Sequence, residues 1–325
     1  MTTSDPTLAI GSGGLSLERI GRWLRQYGVL VLLVALFVAL SIGSDAFLSS
    51  RNLLNILNQN TPLAIIAMAG TLVIIAGGFD LSTGAMFGVA SVTAAWVAVN
   101  IDPVLGLAIA PLVGLALGTV NGLVITGLKV HSFLATIASS LVYGGLAILI
   151  TGGFLISVPD EAFAALGRGR VGPINVAVIV LVIAMAVFTY ILNGTTVGRY
   201  VYAVGGNEEA ASLSGIRVGR IKVMTFALSG LASGVAGAIA VSRIASGQPQ
   251  AGAGLELEAV AAVILGGTSI YGGEGAVWRS VAGVMLLALI QNGFNILNAN
   301  PFYKDLTTGL VIVLAVALSA GRKGK

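Results

Sequence analysis

Long apolar runs separated by short polar loops make up most of this chain. The alternation predicts ten apolar segments, at residues 28–43, 62–77, 82–100, 103–127, 133–151, 174–193, 222–243, 255–267, 278–297 and 303–319. A helix that crosses a bilayer needs roughly 17 to 25 predominantly apolar residues, which most of these segments supply. The pattern therefore predicts an all-α fold, a polytopic transmembrane helical bundle of about ten spans.

Two of the segments, 62–77 and 255–267, are short for a simple crossing. Each of them either borrows residues from its flanks, is broken, or re-enters the membrane from one side, and the sequence leaves these alternatives open. The longest hydrophilic intervals are only 152–173 and 194–221. We therefore expect a single transmembrane domain over residues 1–325.

Composition narrows the class of protein. Hydrophobic residues make up 56% of the chain and charged residues 9%, with a mean hydropathy of +0.98, which excludes a soluble domain. The absence of cysteine excludes disulfides, thiolate catalysis and cysteine-based metal sites. A net charge of +4 on so few charged residues indicates loops that lie against anionic membrane lipid, not a nucleic-acid partner.

Basic residues predict the orientation. With the N-terminus inside, most of the 17 Lys and Arg residues fall in loops on the inner side, as the positive-inside rule requires. Both termini and the 194–221 loop are then cytoplasmic. Residues 1–27 form a basic cytoplasmic segment in which apolar residues recur at intervals of three and four, which predicts either a helix on the inner leaflet or a merely basic tail.

Glycines at intervals of four predict close helix packing. Gly114, Gly118 and Gly122 share one face of the fourth segment, and the pair Gly230 and Gly234 repeats the spacing. Gly84 and Gly88 form a further pair. In lipid, small-residue faces let helix backbones approach and gain van der Waals contact. We expect these glycines to lie at helix interfaces.

Polar side chains in or beside apolar segments are the candidates for a substrate path, because an unpaired polar group is unfavourable in hydrocarbon. The candidates are Asn58, Asn60, Asp80, Asn121, Gln291, Asn292 and Asn295. The amides of the ninth segment share one side of a helix, and amides can donate to and accept from the hydroxyl groups of a polar substrate. The alternative is an interhelical hydrogen-bond seam, to which the sequence gives equal support.

Asp80 interrupts a long apolar stretch, in the sequence Ala76-Gly77-Gly78-Phe79-Asp80-Leu81-Ser82. It is either the N-cap of the next helix at a tight inner turn or a carboxylate held at depth by backbone amides, and the sequence favours capping. A second Gly-Gly turn followed by polar residues occurs at 266–275. One such local similarity does not establish an internal repeat.

Several kinds of chemistry are missing from the sequence. No Gly-rich loop ending in Gly-Lys-Ser/Thr is present, so any ATP-Mg must be bound by another subunit. Paired catalytic carboxylates, a nucleophile elbow and a metal-ligand cluster are also absent from the sequence. We therefore expect no enzymatic activity, no metal site and no cofactor in this chain.

The longest polar island resembles a known docking motif. Glu209-Ala210-Ala211, followed after three residues by Gly215, resembles the Glu-Ala-Ala loop of permease subunits in bacterial ABC importers, although no Leu-Pro follows Gly215. Together with 203–207 and 76–82, it resembles the ribose/xylose/galactose-type permeases of ABC sugar importers. The resemblance implies an ATPase-coupling loop containing Asn207, Glu208, Glu209, Ala210, Ala211 and Gly215.

The resemblance also implies the partners and the location. These are an ABC ATPase subunit, an extracytoplasmic sugar-binding protein, a second permease copy in a homodimer or pseudo-dimer, and the lipid of a bacterial cytoplasmic (inner) membrane. The cargo would be a pentose- or hexose-like monosaccharide. Alternatives are a nucleoside or branched-chain amino acid permease of similar layout, or an ion-coupled secondary carrier. A carrier would use ionisable groups within its spans, where only Asp80, Glu256 and Glu258 are candidates.

Overall fold

The computed structural model describes residues 17–298 together with 300, 303, 306, 307, 309, 310 and 313, and side chains from residue 28 onward. The helices in chain order are α1 Leu17–Gly43, α2 Ser50–Ile75, α3 Thr83–Asn100, α4 Pro103–Leu128, α5 Ser132–Thr151, α6 Glu161–Arg168, α7 Val176–Gly194, α8 Thr196–Gly206, α9 Glu208–Leu213, α10 Val218–Ile244, α11 Leu255–Leu265 and α12 Val277–Ile296. The strands are β1 Ile156–Ser157, β2 Arg170–Val171, β3 Ile174–Asn175 and β4 Ser246–Gly247.

Seven of the described helices are long and apolar enough to cross a membrane: α2, α3, α4, α5, α7, α10 and α12. Residues Gly28–Gly43 of α1 form a shorter apolar helix. The expectation of a polytopic helical membrane protein is confirmed at this level. The count of about ten spans and the cytoplasmic termini stay predictions, and most of the predicted segment 303–319 lies outside the described residues.

The two short segments have different explanations. The segment predicted at 62–77 belongs to the 26-residue helix α2, which begins at Ser50, so it borrows residues from its N-terminal flank. Ser49 caps this helix by accepting a hydrogen bond of 3.3 Å from the backbone amide of Asn52. The segment predicted at 255–267 is broken, because α11 has only 11 residues and follows an irregular stretch at 248–254.

The N-terminal helix also differs from the prediction. The interval thought to lie on the inner leaflet is continuous with the first apolar segment, since α1 is one helix of 27 residues from Leu17 to Gly43. The 152–173 loop contains α6 and the strands β1 and β2, and the antiparallel pairs are β1 with β4 and β2 with β3. Strand pairing therefore joins this loop to the end of α10.

Buried side chains concentrate on α2, α3 and α10, which form the centre of the bundle. The predicted glycine faces of α4 and α10 lie at the interface of these two helices, whereas the expectation for Gly84 and Gly88 is wrong, because they pack on the backbone of the irregular stretch at 248–254 and not on the backbone of another helix. A methyl group added at Gly114 would overlap the carbonyl oxygen of Gly230, and one at Gly118 would overlap the carbonyl oxygen of Phe226. The interface of α4 with α10 therefore depends on the absence of side chains there. By contrast, α5 packs mainly on α3 and leaves Leu141 and Leu149 at its surface.

Candidate functional site

Two helices end in the same type of turn. We label these turns re-entrant turns 1 and 2 (residues 76–82 and 266–276), a label for the two segments that does not describe their place in the membrane. At the end of α2, Gly77 has a φ of 81° and its amide donates to the carbonyl of Ile74 (3.0 Å), while the Gly78 amide donates to Val73 (2.9 Å). At the end of α11, Gly267 has a φ of 85°. Its amide donates to Ile264 (2.8 Å), and the Thr268 amide donates to Val263 (3.2 Å).

These are Schellman endings, in which the left-handed residue is normally glycine because it has no Cβ. The two similar Gly-Gly sequences are therefore helix endings of the same type.

The re-entrant turns touch each other and α8. The amide of Gly273 donates a hydrogen bond of 2.9 Å to the carbonyl of Ile75. A methyl group at Gly205 of α8 would overlap this same carbonyl oxygen and approach the Gly273 nitrogen to 2.7 Å. Gly272 lies beside Gly205 and Gly77. We call this contact the glycine junction (Gly77, Gly205, Gly272 and Gly273), and it places the backbone of α8 directly against both turns.

Tyr202 makes a second link between α8 and re-entrant turn 2. Its hydroxyl donates a hydrogen bond of 2.8 Å to the carbonyl of Gly275. Burial raises the pKa of the Tyr202 phenol, an effect that the nearby positive charge of Arg279 opposes. The phenol is therefore protonated at neutral pH and remains a donor.

Asp80 lies at the end of re-entrant turn 1, and only 5% of its surface is exposed. Its Oδ1 accepts from the amide (3.1 Å) and the hydroxyl (2.6 Å) of Ser82, and its Oδ2 accepts from the hydroxyl of Ser229 (2.7 Å). Ser229 lies well inside α10, about 16 Å from the start of that helix, since a helix rises about 1.5 Å per residue.

The preference for a capping role at Asp80 is wrong, because the N-cap of α3 is Ser82. Asp80 is instead a carboxylate held inside the bundle by one amide and two hydroxyls.

The network around Asp80 continues across α4 and α5. Asn121, which is 1% exposed, donates from Nδ2 to the hydroxyl of Ser82 (2.7 Å). The hydroxyl of Tyr143 donates to Oδ1 of Asn121 (2.9 Å). We call the set Asp80, Ser82, Asn121, Tyr143 and Ser229 the Asp80 network. It joins four structural elements, and because its carboxylate and amide are bonded to protein groups, it is suited to holding the bundle together.

The turn backbone in front of Asp80 is also bonded to side chains. The amide of Phe79 donates to the hydroxyl of Ser132 (3.0 Å), and the amide of Leu81 donates to the hydroxyl of Thr136 (3.1 Å). Irregular backbone inside a membrane protein needs such partners, since lipid offers none. Helix α5 therefore supports re-entrant turn 1 along its first two turns.

The other candidate path residues lie elsewhere. Asn292 and Asn52 exchange amide hydrogen bonds of 2.8 and 3.2 Å, which supports the seam alternative for Asn292. Gln291 is half-buried on the same helix, and Asn295 is exposed. The structure thus groups the candidates in three places and does not bring the α12 amides to the Asp80 network.

The third group lies on the N-terminal half of α2. Asn60 donates from Nδ2 to the carbonyl of Ile56 (2.8 Å), and the carbonyl of Asn58 accepts from Nη1 of Arg243 (3.0 Å). Oδ1 of Asn58 is buried without a hydrogen-bond partner among the described residues. These residues connect α2 to the end of α10.

The predicted coupling loop forms the short helix α9, which follows α8 in the chain. Asn207 caps it, since its Oδ1 accepts from the amide of Ala210 (2.9 Å). Glu208 forms an ion pair of 2.6 Å with Lys222 of α10. Gly215 ends the helix with a φ of 83°, and the Gly215 amide donates to the carbonyl of Ser212 (3.0 Å). The loop is therefore a defined structure, fixed to the bundle at one side.

The two faces of α9 differ. Ala211 is 5% exposed and packs into the main core, so its small size serves the permease itself. Glu209 and Ala210 are exposed. Leu213, which the sequence motif did not single out, is 84% exposed. Glu209 and Leu213 are four residues apart on α9, so their side chains lie on the same exposed face of this helix.

Comparisons with known proteins identify the family of the chain. Residues 52–316 match the family described as branched-chain amino acid transport system / permease component. The ribose import permease protein of Bacillus subtilis (strain 168) is 43% identical over 298 residues, covering 91% of this chain and 92% of that protein. The ribose import permease protein of Haemophilus influenzae is 39% identical over 303 residues, covering 92% and 94%.

A relative named for a different sugar is almost as similar. The L-arabinose transport system permease protein of Escherichia coli (strain K12) is 40% identical over 298 residues, covering 91% of this chain and 90% of that protein. No solved structure matches the chain significantly. From the extent of these matches, the chain belongs to the family of branched-chain amino acid transport system permease components, in a branch that includes sugar import permeases.

Proposed function

We propose that this chain is the permease subunit of an ATP-driven importer and forms the translocation path for a pentose- or hexose-like monosaccharide. The observation that carries the proposal is the similarity, over nine tenths of the chain, to permeases named for ribose and L-arabinose. The exposed Glu209 and Leu213 on α9 supply the surface on which a separate ATPase would dock.

The proposed partners follow from the missing ATP-binding loop and from the similarity to import permeases. An ABC ATPase binds ATP-Mg on the cytoplasmic side, an extracytoplasmic binding protein delivers the sugar, and a second permease copy completes the path. In this arrangement α8 and α9 face the cytoplasm of a bacterial cell, and both termini lie on the same side. Membrane lipid surrounds the exposed apolar helices such as α5.

Transport in this proposal uses conformational change without sugar chemistry. Closure of the ATPase dimer displaces α9 and α8, and the glycine junction passes the displacement to re-entrant turns 1 and 2. Because these turns precede or follow α2, α3, α11 and α12, one movement reorients four helices. The Asp80 network then keeps the moving turn attached to α10.

An uptake experiment distinguishes the substrates. The permease is expressed with the proposed ATPase and binding protein, in cells without their own sugar importers, and offered radiolabelled D-ribose, L-arabinose, uridine or L-leucine. We expect uptake of a pentose that stops when ATP is depleted. Uptake of leucine or uridine alone would establish an alternative importer. Uptake that persists without ATP but stops when ion gradients are dissipated would establish a secondary carrier.

The orientation has its own test, because the chain contains no cysteine. A single cysteine at Glu161, in α6, should react in intact cells with a membrane-impermeant thiol reagent, whereas one at Ser212 in α9 should not. Ser212 is exposed in the structure, so protection there means that it faces the cytoplasm. The reverse labelling would overturn both the topology and the docking role of α9.

A further inference from the structure

A cleft of about 370 Å³ lies beside α5, away from all seven candidate path residues. Its walls are α5, the first turn of α3 and the irregular stretch before α11, and its polar lining residues are Ser140, Gln250 and Glu256. We call it the α5 cleft. Its volume is within the range of small-molecule pockets, roughly 300 to 1,000 Å³.

The start of α3 and the irregular stretch before α11 meet at this cleft. Gly84, in the first turn of α3, packs directly on the backbone of Gly252, which precedes α11. A methyl group on either glycine would overlap the carbonyl oxygen of the other, so the two backbones are in direct contact. Non-helical backbone within a membrane bundle is tolerated where it is covered by protein or lines a water-filled cavity. In secondary transporters, non-helical segments that interrupt membrane helices form substrate sites near the middle of the membrane.

The polar side chains that line the α5 cleft are available to bind a ligand. Among the described residues, no hydrogen bond is formed by the side chains of Ser140, Gln250 or Glu256, although Oε2 of Glu256 lies against Gly84. A carboxylate, an amide and a hydroxyl together offer both acceptors and donors. This is the set needed to bind several hydroxyl groups of a polyol.

The cleft also has free space on the α5 side. A methyl group added at Gly144 or Gly145 would meet no atom within 4 Å. These glycines therefore serve no packing contact with the described residues, unlike Gly114 and Gly118 on α4. Their absence of side chains leaves the mouth of the cleft open next to Ser140.

We propose that the α5 cleft is a binding station for the transported monosaccharide, with Glu256, Gln250 and Ser140 bonding to its hydroxyl groups. The inference rests on the proposed function and adds a location to it. It moves the path away from Gln291, Asn292 and Asn295, whose helix forms a seam with α2. The competing interpretation is a groove filled by lipid chains.

Cysteine substitution tests the location in the assembled importer, in membrane vesicles. Ser140→Cys and Ala253→Cys place a thiol in the cleft, and Val142→Cys places one on α5 outside it, where the side chain is 66% exposed. The probe is a charged methanethiosulfonate reagent. In the two cleft variants we expect modification to reduce D-ribose uptake by about tenfold, because the adduct fills the cleft, and saturating D-ribose to slow the modification. Val142→Cys should transport normally after treatment.

Glu256→Gln tests the carboxylate. We expect the KM for D-ribose uptake to rise by roughly fivefold or more, while ATP hydrolysis by the complex is retained, because only the hydrogen bonds to the sugar change. Unreactive cleft thiols, or unchanged ribose uptake after complete modification, would show a lipid groove and overturn the inference. The cysteine-free parent is measured first. If it imports leucine and no sugar, the proposed function fails, and with it the sugar assignment of the cleft.

Discussion

The hydroxyl of Ser229 donates a hydrogen bond of 2.7 Å to Oδ2 of Asp80, across 149 positions of sequence. This bond fixes re-entrant turn 1 to the interior of α10. Since the other carboxylate oxygen is bonded to Ser82, neither oxygen of Asp80 faces hydrocarbon without a partner. Asp80 therefore stabilises the irregular backbone that lies between α2 and α3.

Replacement of Asp80 by alanine should destabilise the protein. The hydroxyls of Ser82 and Ser229 and the amide of Ser82 lose their acceptor, and hydrogen bonds between membrane helices contribute about 0.6 to 1.7 kcal/mol each. Ser229→Ala removes one bond only and should have a smaller effect, about 0.6 kcal/mol. Thermal unfolding of the detergent-solubilised variants measures both. Asp80→Ala with unchanged unfolding but no uptake would instead assign Asp80 to the transport path.

The amide pair of Asn52 and Asn292 should act as a unit. Each single change to leucine leaves one half-buried amide without its partner on the other helix, whereas the double change removes both amides. In a double-mutant cycle of thermal stability, we expect an interaction free energy of about 0.6 to 1.7 kcal/mol, as for other hydrogen bonds between membrane helices. Uptake should be retained in the double variant. Additive effects on stability together with lost uptake would return Asn292 to the path.

Some features of the fold could be predicted because they depend on local sequence. The glycine spacing on α4 indicated a close interface, and the structure places Gly114 against Gly230. The length of the segment at 255–267 indicated that it is not a simple crossing and left three alternatives open, among which the 11 residues of α11 favour a broken helix. The Glu-Ala-Ala motif indicated a separate polar element, which α9 is. Each of these depends on residues close together in the chain.

Other features depend on long-range contacts that one sequence does not contain. Asp80 has a turn-like neighbourhood that favours capping, and only the packing of α10 against re-entrant turn 1 supplies Ser229 as a partner. Ala210 and Ala211 are indistinguishable in the motif, but the rotation of α9 buries Ala211 and exposes Ala210. The cleft polar residues Ser140 and Gln250 are far apart in sequence, and tertiary structure alone brings them together.

Leu213 should be a docking residue for the ATPase, while Ala211 should not. Leu213→Asp places a charge at a side chain that is 84% exposed in this chain, so the permease should fold normally and lose copurification of the ATPase. Ala211→Trp should overfill the core of the permease and lower its own stability by about 1 to 3 kcal/mol. Copurification and thermal unfolding, measured on both variants, separate the two roles. Full ATPase binding by Leu213→Asp would contradict the docking assignment.

The glycine junction should transmit movement from α8 to the re-entrant turns, and adjacent glycines provide a matched pair of variants. A methyl group at Gly205 would overlap the carbonyl oxygen of Ile75, whereas one at Gly206 would meet no atom within 4 Å. We therefore expect Gly205→Ala to separate α8 from the turns and Gly206→Ala to be nearly neutral. Since α9 lies outside the junction, the ATPase should still bind to both variants.

The informative measurement is the ratio of ATP hydrolysed to sugar imported by vesicles containing the complete importer. In Gly205→Ala, uptake should fall by about tenfold while hydrolysis persists. The reason is that movement of α8 is no longer coupled to α2, α3, α11 and α12. Tyr202→Phe removes the bond to Gly275 without adding volume and should raise the same ratio less. If Gly205→Ala reduced hydrolysis and uptake equally, the junction would be needed for ATPase docking, and movement would have to reach the turns through another contact.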